Sequence, residues 1–367
     1  MSKRIGILTL PLRDNYGGIL QAVALAQFLK AEGHEVVLLD RRPRMPRSHR
    51  LAAPLLRRLP FQDIKKIRSR YQVRAVHTPF ISRWIGPDRP ELYSADEMTK
   101  AVRRHRLSAV VVGSDQVWRP NYMPSEDPAE YFLGFNMPQD VRRIAYAASF
   151  GVDVWEFPDL TDRISTCLRQ FDAVSVREDT GVTLCRQLFG REQCAHVLDP
   201  TMLVDPEIYL RMAAPAREQT RTGRLLWRYT LDASPEQTAT AEAARAMLGP
   251  DCAVRGIELT GGQQSFLVHD WLHAFMKADF VVTDSFHGMV FSILFNKEFI
   301  ATPNYSRGAT RFTSLLKMLG LSDRLAERGD VEAARTLASQ PIDYGRVNQQ
   351  IDRLRTTSRD FLRTALG

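Results

Sequence analysis

Polar side chains follow a buried strand in the C-terminal third of the chain. Phe280–Val282 is β-branched and aromatic, and the sequence TDSFHG comes directly after it. The apolar run Met289–Phe295 then predicts a helix, whose first turn carries N–H groups that attract anions. Imidazole exchanges a proton close to neutral pH, so His287 at this positive end could donate a hydrogen bond or a proton to a bound anion. The same residues also fit a core helix that is merely capped by Asp284 or Ser285.

A second polar cluster follows the strand predicted at Leu107–Val112. This strand runs into GSDQVWRP, and open α/β sheets bind ligands at the carboxyl ends of their strands. Asp115 could act as a base or bind a sugar hydroxyl, and Trp118 could stack on a sugar ring. A capped loop with an apolar tryptophan plug is the alternative.

Arg177 stands at the end of another predicted strand, Phe171–Val176, where a helix begins. A guanidinium in this position is well placed for bidentate capture of a carboxylate or phosphate. It could equally be the ion-pair partner of Glu178 or Asp179, and the sequence leaves both interpretations open.

The N-terminal residues predict the β-turn-α-β unit of a parallel sheet. Lys3–Leu10 is the first strand, and Ile19–Glu32 has the apolar spacing of a helix. The turn between them contains Asn15, Gly17 and Gly18 but no GxGxxG, so a dinucleotide fingerprint is not supported. We interpret the turn as a loop that offers N–H groups and an amide to a polar ligand, with a helix cap as the alternative.

The net charge is +8 over 367 residues, but its position argues against a nucleic-acid binder. Residues 41–74 contain twelve Lys or Arg and one acid, a local charge of +11, which leaves −3 for the rest of the chain. A local basic segment suits an anionic membrane surface or an anionic substrate better than a duplex. A solvated, partly helical insertion explains the segment as well.

The composition, 44% hydrophobic and 25% charged, is that of a globular protein long enough for two cores. The four cysteines form no CxxC and no zinc-type spacing, which predicts no metal site and fits a reducing cytoplasm. The apolar stretch at the amino terminus ends at Pro11, so it predicts a strand and not a signal peptide. No window is long and apolar enough to cross a bilayer.

Strands and helices alternate along the whole chain, which predicts an α/β fold. Met212–Gly223 is small, polar and without periodicity, and is the best linker candidate. We therefore predict an N-terminal domain at 1–215, a C-terminal α/β domain at 216–345 and a last helix at 346–367 that packs back on the body.

Six sequence pieces occur in order and together resemble the polysaccharide pyruvyl transferase family. They are NYGGILQ (Asn15–Gln21), GSDQVW (Gly113–Trp118), AYAASFG (Ala145–Gly151), SVRE (Ser175–Glu178), LDPT (Leu198–Thr201) and TDSFHG (Thr283–Gly288). No single piece is specific, but the ordered set is. The resemblance implies a GT-B-like architecture of two Rossmann-like domains facing across a cleft, with the acceptor side at 1–215, the donor side at 216–345 and the C-terminal helix crossing back.

The resemblance also implies an activity. The pyruvyl group of phosphoenolpyruvate would move onto two hydroxyls of one sugar, forming a cyclic ketal and releasing phosphate. Phosphoenolpyruvate is then a co-substrate, and no other cofactor is implied. Its trianion needs cations and helix amino ends, its methylene carbon needs an acid, and the sugar hydroxyls need a base. The acceptor would be a cell-surface polysaccharide or its lipid-linked precursor.

On the matching positions, the resemblance assigns catalysis and donor binding to His287, and Asp115 is our candidate base. The remaining donor-binding residues are Arg177, Ser285 and Phe286, and the acceptor-binding residues are Asn15, Gly17, Gly18, Asp115 and Trp118. Many family members have Arg-Leu-His where this chain has Ser-Phe-His, so a donor-binding cation is missing locally. We expect Arg307 or Arg311 to substitute for it.

Two other classes of protein fit the same fold. A GT-B glycosyltransferase with a nucleotide-sugar donor would also bind a diphosphate at a basic helix start, although the acidic pair expected for a ribose is not evident. A non-catalytic saccharide-binding relative is the third interpretation. For a pyruvyl transferase, the expected partners are a saccharide acceptor and, through residues 41–74, an anionic surface at the inner face of the cytoplasmic membrane. Nucleic acid is not an expected partner.

Overall fold

Parallel strands form the centre of each of two α/β units in a computed structural model of the chain. The structure describes residues 2–13, 15–44, 76–216, 223–258 and 266–367. Unit 1 comprises Met1–Pro200 together with Asp360–Gly367, and unit 2 comprises Thr201–Arg359. This division lies before the boundary predicted at 215, because the helix Glu207–Ala213 packs against the helix Val268–Lys277 of unit 2.

The main sheet of unit 1 has six parallel strands in the order β2-β1-β5-β6-β7-β8, and β3 pairs with β4 separately. The strands are β1 (Arg4–Leu8), β2 (Glu35–Leu38), β3 (Asp40–Arg41), β4 (Glu91–Leu92), β5 (Ala109–Val112), β6 (Arg142–Ala148), β7 (Ala173–Val176) and β8 (Ala195–His196). The central strands are buried on both faces, as in parallel sheets covered by helices. The helices are Tyr16–Ala31, 76–84, Ala95–Arg104, Thr161–Arg169 and Asp179–Thr183.

Unit 2 repeats this plan with four parallel strands in the order β10-β9-β11-β12. They are β9 (Leu225–Thr230), β10 (Ala253–Glu258), β11 (Phe280–Thr283) and β12 (Glu298–Ala301). The helices are Glu207–Ala213, Pro235–Leu248, Val268–Lys277, Phe286–Leu294, Thr310–Leu319 and Val331–Ser339. We call Phe286–Leu294 the motif helix. It is buried along its whole length, since its residues are almost all apolar.

The terminal helix, Tyr344–Leu366, ends in unit 1. Its side chains Leu362 and Leu366 are buried there. Arg363 forms an ion pair with Glu32 (2.8 Å), and the ammonium of Lys3 donates to the carbonyl of Gly367 (2.5 Å).

The basic segment 41–74 lies outside the described residues from 45 onward. Of its first members, Arg41 is buried and paired with Glu130, and Arg42 is paired with Asp40 (2.8 Å through its Nε). These two charges are already compensated by acids within unit 1. In the described part of the chain, no helix combines the length and the apolar character that crossing a bilayer requires.

Candidate functional site

The carboxyl ends of the unit 1 strands bring three charged side chains together. Arg177, directly after β7, donates to Asp199 (2.7 Å) and lies 3.5 Å from Asp115, which follows β5. All three are at least 95% buried. Burial opposes the charge of the guanidinium, but the two carboxylates outweigh it, so that the pKa of Arg177 is raised. The sequence left Arg177 open between an anion ligand and an ion-pair partner; here its partners are acids from two other strand ends.

The backbone of Asp115 is in an uncommon conformation, and its carboxylate is held by neighbouring groups. Its φ is +69°, in the left-handed region that Asp tolerates better than most residues. One carboxylate oxygen accepts from the backbone N–H of Gln116 (2.9 Å) and faces Arg177, while the other lies 3.4 Å from the side-chain amide of Asn15. Asp115 and Asn15, which the sequence assigned to the acceptor, therefore lie side by side.

The residues predicted as a ligand-binding loop, Gly17 and Gly18, are instead in the first turn of the helix Tyr16–Ala31. Asn15 is the N-cap of this helix and accepts from the N–H of Gly18 (3.0 Å). The helix starts three residues before the predicted Ile19 because this cap and the absence of a side chain at Gly18 allow the turn to close. A Cβ on Gly18 would lie 3.4 Å from the carboxylate of Asp115.

Trp118, predicted as a platform for a sugar ring, is fully buried. Its ring stacks on Phe132 at 5.1 Å and contacts Phe150 and Phe171, and its N–H donates to the carbonyl of Tyr131 (3.1 Å). The indole is thus a core residue, which was the alternative interpretation, and we leave it out of the acceptor surface proposed below.

In unit 2 the sequence TDSFHG joins β11 to the motif helix. Ser285 is the N-cap, and its hydroxyl accepts from the N–H of Gly288 (3.2 Å). Phe286 and His287 form the first turn, with ring centroids 5.3 Å apart, and both are at least 95% buried. The predicted strand, cap and helix start are therefore all present, and His287 lies at the positive end of the helix.

Asp284 ties its own loop to three neighbouring segments at this edge of the sheet. Its carboxylate accepts from the backbone N–H groups of Leu231 (2.6 Å) and Asp232 (3.2 Å), from Asn304 (3.1 Å) and from Arg328 (3.2 Å). Burial raises the pKa of Asp284, although these N–H donors act in the opposite direction. The residue positions the loop that follows β9.

Asp232 stands in that loop and binds Arg307. The guanidinium donates two hydrogen bonds to its carboxylate (2.7 and 2.9 Å), and Asn304 adds a third (2.7 Å). These bonds, that of Arg307 above all, lower the pKa of Asp232 to about 2. The other predicted cation, Arg311, is 5% exposed, and its guanidinium lies 5.3 Å from the ring centroid of Phe286.

Sequence reasoning missed most of the groups that hold these arginines, and it named Asp284 only as a possible helix cap. The acids and the amide are Asp199 in unit 1 and Asp232, Asp284 and Asn304 in unit 2, and Arg328 is a further arginine at this edge. A signal for three of them existed, since Asp199, Asp232 and Asp284 each follow a short β-strand in the sequence. In the described ranges no three His, Cys, Asp or Glu side chains are grouped as a metal ion would require.

Comparison with known proteins gives one family and one fold. The family model described as "Polysaccharide pyruvyl transferase" matches residues 15–306. No curated protein is significantly similar in sequence. Among solved structures, the chain is similar to the UDP-GlcNAc 2-epimerase of Methanocaldococcus jannaschii in complex with UDP-GlcNAc and UDP, with a TM-score of 0.51 and 12% identity, over 97% of this chain and 100% of that one.

A second similar structure is the S. aureus MnaA–UDP co-structure. Its TM-score is 0.50 and its identity 11%, over 96% of this chain and 91% of that one. At such identities the likeness concerns the fold, which is GT-B-like with two Rossmann-like domains, and the predicted fold class is confirmed.

Proposed function

The chain belongs to the polysaccharide pyruvyl transferase family, and from this premise we propose that it transfers the pyruvyl group of phosphoenolpyruvate to a sugar. Two hydroxyls of one sugar, in a cell-surface polysaccharide or its lipid-linked precursor, would become a cyclic ketal, and phosphate would leave. The observation that carries the proposal is the position of His287 in the first turn of the motif helix, at the carboxyl edge of the unit 2 sheet.

The donor is assigned to this edge of unit 2. Phosphoenolpyruvate carries a carboxylate and a phosphate, and the N–H groups of a helix start favour such anions. His287 donates a proton to the methylene carbon, which leaves an oxocarbenium-like centre at the carbon that bears the phosphate. A sugar hydroxyl adds there and loses its proton to the base, the bond to phosphate breaks, and the second hydroxyl closes the ketal and gives its proton to the leaving phosphate. One donor and one diol thus give one ketal and one phosphate.

The acceptor is assigned to the strand ends of unit 1. Asp115 is the base in this proposal, because its carboxylate is held in place by Gln116, Arg177 and Asn15. The amide of Asn15 and the start of the first helix supply polar groups next to it. Asp199 acts indirectly, by holding Arg177.

We propose further that the reaction takes place in the cytoplasm, at the inner face of the membrane. The four cysteines are free and buried thiols, which suits a reducing compartment. The basic residues of 41–74 would hold the diphosphate of a lipid-linked saccharide or an anionic lipid surface.

The first experiment is isothermal titration of phosphoenolpyruvate into the wild-type chain and into H287A, with UDP-sugars as competing ligands. We expect saturable binding of phosphoenolpyruvate that weakens at least about tenfold in H287A, because a charge-assisted contact is lost. H269A is the matched control, since His269 lies on the neighbouring helix Val268–Lys277 and should leave binding unchanged.

The alternatives give different results in the same titration. Binding of a UDP-sugar without binding of phosphoenolpyruvate would favour a nucleotide-sugar glycosyltransferase, the alternative that the sequence leaves open; the two similar structures named above contain UDP. Binding of neither phosphoenolpyruvate nor a UDP-sugar would favour a non-catalytic saccharide-binding relative.

A further inference from the structure

The hydroxyl of Thr283 joins the end of β11 to the start of the motif helix. It donates to the carbonyl of Tyr229, near the end of β9 (2.7 Å), and accepts from the backbone N–H of Ser285 (3.1 Å). A hydroxyl has a single proton to donate, so these two bonds fix its direction. The side chain is fully buried, which strengthens both bonds by excluding water from them.

The main chain of Thr283 is held from the opposite side, by the residue that follows β12. Its carbonyl accepts from the backbone N–H of Thr302 (2.9 Å), and the hydroxyl of Thr302 accepts from the side-chain amide of Gln237 (2.5 Å). Thr302 and Gln237 are both buried. The end of β11 is thus fixed by contacts from both neighbouring strands and forms a rigid support for the residues that follow it.

The first turn of the motif helix depends on Thr283 in two ways. Ser285, whose N–H is bound to Thr283, caps the helix by accepting from the N–H of Gly288. A Cβ on Gly288 would lie 2.3 Å from the hydroxyl of Thr283, so this hydroxyl also packs directly against the first turn. Ser285 and Gly288 lie on either side of Phe286 and His287 in the sequence. Their positions determine where the main chain of His287 lies, and with it the direction of the imidazole ring.

We propose that Thr283 is a positioning residue for the donor: its hydroxyl fixes the helix cap so that His287 meets the bound anion in the orientation that proton transfer requires. The inference rests on the proposed function, because Thr283 acts through the proposed acid. Valine has nearly the shape of threonine, but it would remove a partner from the carbonyl of Tyr229 and from the N–H of Ser285. Serine keeps both hydrogen bonds.

The test is isothermal titration of phosphoenolpyruvate into the full chain and its variants, each first checked by circular dichroism. T283V removes the hydroxyl and T283S keeps it. T240V is the matched control, because Thr240 is fully buried in the helix Pro235–Leu248 and its hydroxyl has the same pattern of bonds. It donates to the carbonyl of Glu236 (3.0 Å) and accepts from the N–H of Gly329 (3.1 Å), outside the motif.

We expect the Kd for phosphoenolpyruvate to rise at least about tenfold in T283V and to stay within about threefold in T283S and T240V. An equal rise in T240V would mean that any lost hydroxyl in the core of unit 2 has this effect. That result would overturn the inference, and so would wild-type binding in T283V or a T283S chain that binds as weakly as T283V. If T283V does not fold, T283A and T240A are compared in the same way.

A double variant separates positioning of His287 from a general effect on the fold. If Thr283 acts through His287, adding T283V to H287A should weaken binding by less than about threefold, because the group that it positions is already absent. A further loss of about tenfold in that background would overturn the inference while leaving the proposed function in place. A wild-type chain that does not bind phosphoenolpyruvate would overturn both.

Discussion

At the scale of single residues, the chemistry of both units depends on which acid each arginine meets. Arg177 was expected to bind a donor anion or to pair with Glu178 or Asp179. It pairs with Asp199 and Asp115, which are 22 and 62 residues away in the sequence. Such partners are determined by the order of the strands in the sheet, so they cannot be predicted from the neighbouring residues in the sequence.

The ion pair of Asp232 with Arg307 predicts a pH dependence of stability. The pKa of Asp232 falls from 3.8 to about 2 through the hydrogen bond of Arg307. A folded-state pKa below the unfolded one contributes stability that is present above about pH 4 and is lost as the pH falls toward about 2. In R307M this pKa moves back toward 3.8, so the variant should lose less further stability than the wild type over that range.

Urea midpoints measured from about pH 5 to about pH 2.5 provide the comparison. The neighbouring Asp284 has a raised pKa, and its contribution to the pH dependence of stability has the opposite sign. We therefore compare the change in midpoint of R307M with that of the wild type, and not the slope of either chain by itself. R335M, at an exposed pair with Glu332, is the control and should follow the wild type. An equal loss of stability on acidification in R307M and in the wild type would contradict this prediction.

At the scale of elements, the four strands that the sequence predicts above are present as β1, β5, β7 and β11, and their ends were less predictable. β11 and the motif helix lie where the apolar run and the cap of TDSFHG place them, because burial and capping act over neighbouring residues. The first helix begins earlier than predicted, and Trp118 is inside the core. The burial of Trp118 arises from contacts between distant segments, such as Trp118 with Phe171, whereas the earlier helix start arises from the local cap that Asn15 provides.

The junction between β11 and the motif helix depends on one glycine. A Cβ on Gly288 would lie 2.3 Å from the hydroxyl of Thr283 and 3.0 Å from the ring of Tyr229. Thr283 cannot easily move, since its hydroxyl donates to the carbonyl of Tyr229 (2.7 Å) and accepts from Ser285. G288A should therefore destabilise the chain by about 1–3 kcal/mol through overpacking.

G345A is the matched substitution for G288A. Gly345 lies in the first turn of the terminal helix, where the nearest atom to an added Cβ is a carboxylate oxygen of Asp343 at 3.2 Å. Alanine favours a helix over glycine, so G345A should change stability by at most about 1 kcal/mol, in the stabilising direction. Unfolding in urea followed by tryptophan fluorescence compares the two, and a G288A chain as stable as the wild type would refute the packing argument.

At the scale of the whole molecule, the proposed contact with a membrane depends on where the basic residues lie along the chain. The chain is −3 outside residues 41–74, and the first two arginines of that segment are paired with acids. Attraction to an anionic surface must then come from residues such as Arg57, Arg58 and Lys65. Each charge contributes about 1 kcal/mol near such a surface, so neutralising these three to glutamine should weaken vesicle binding on the order of a hundredfold.

Sedimentation with vesicles that contain phosphatidylglycerol measures this effect, with pure phosphatidylcholine as the uncharged surface. The control variant carries glutamine at Lys100, Arg103 and Arg104, which are exposed at the end of the helix Ala95–Arg104. These three substitutions remove the same net charge as those in the basic segment. Equal weakening in both variants would mean that net charge and not the segment is responsible, and unchanged binding in the first variant would exclude the proposed contact.

The return of the terminal helix to unit 1 has a consequence for how the protein is made. Residues 360–367 belong to unit 1 although all of unit 2 precedes them in the chain. During synthesis on the ribosome, the first 200 residues emerge long before Leu362 and Leu366, which fill part of their core. Unit 1 therefore completes its interior only after residues 360–367 have been translated, whereas unit 2 has all of its residues earlier. Expression of unit 1 alone would accordingly require the terminal segment to be joined to it by a designed connection.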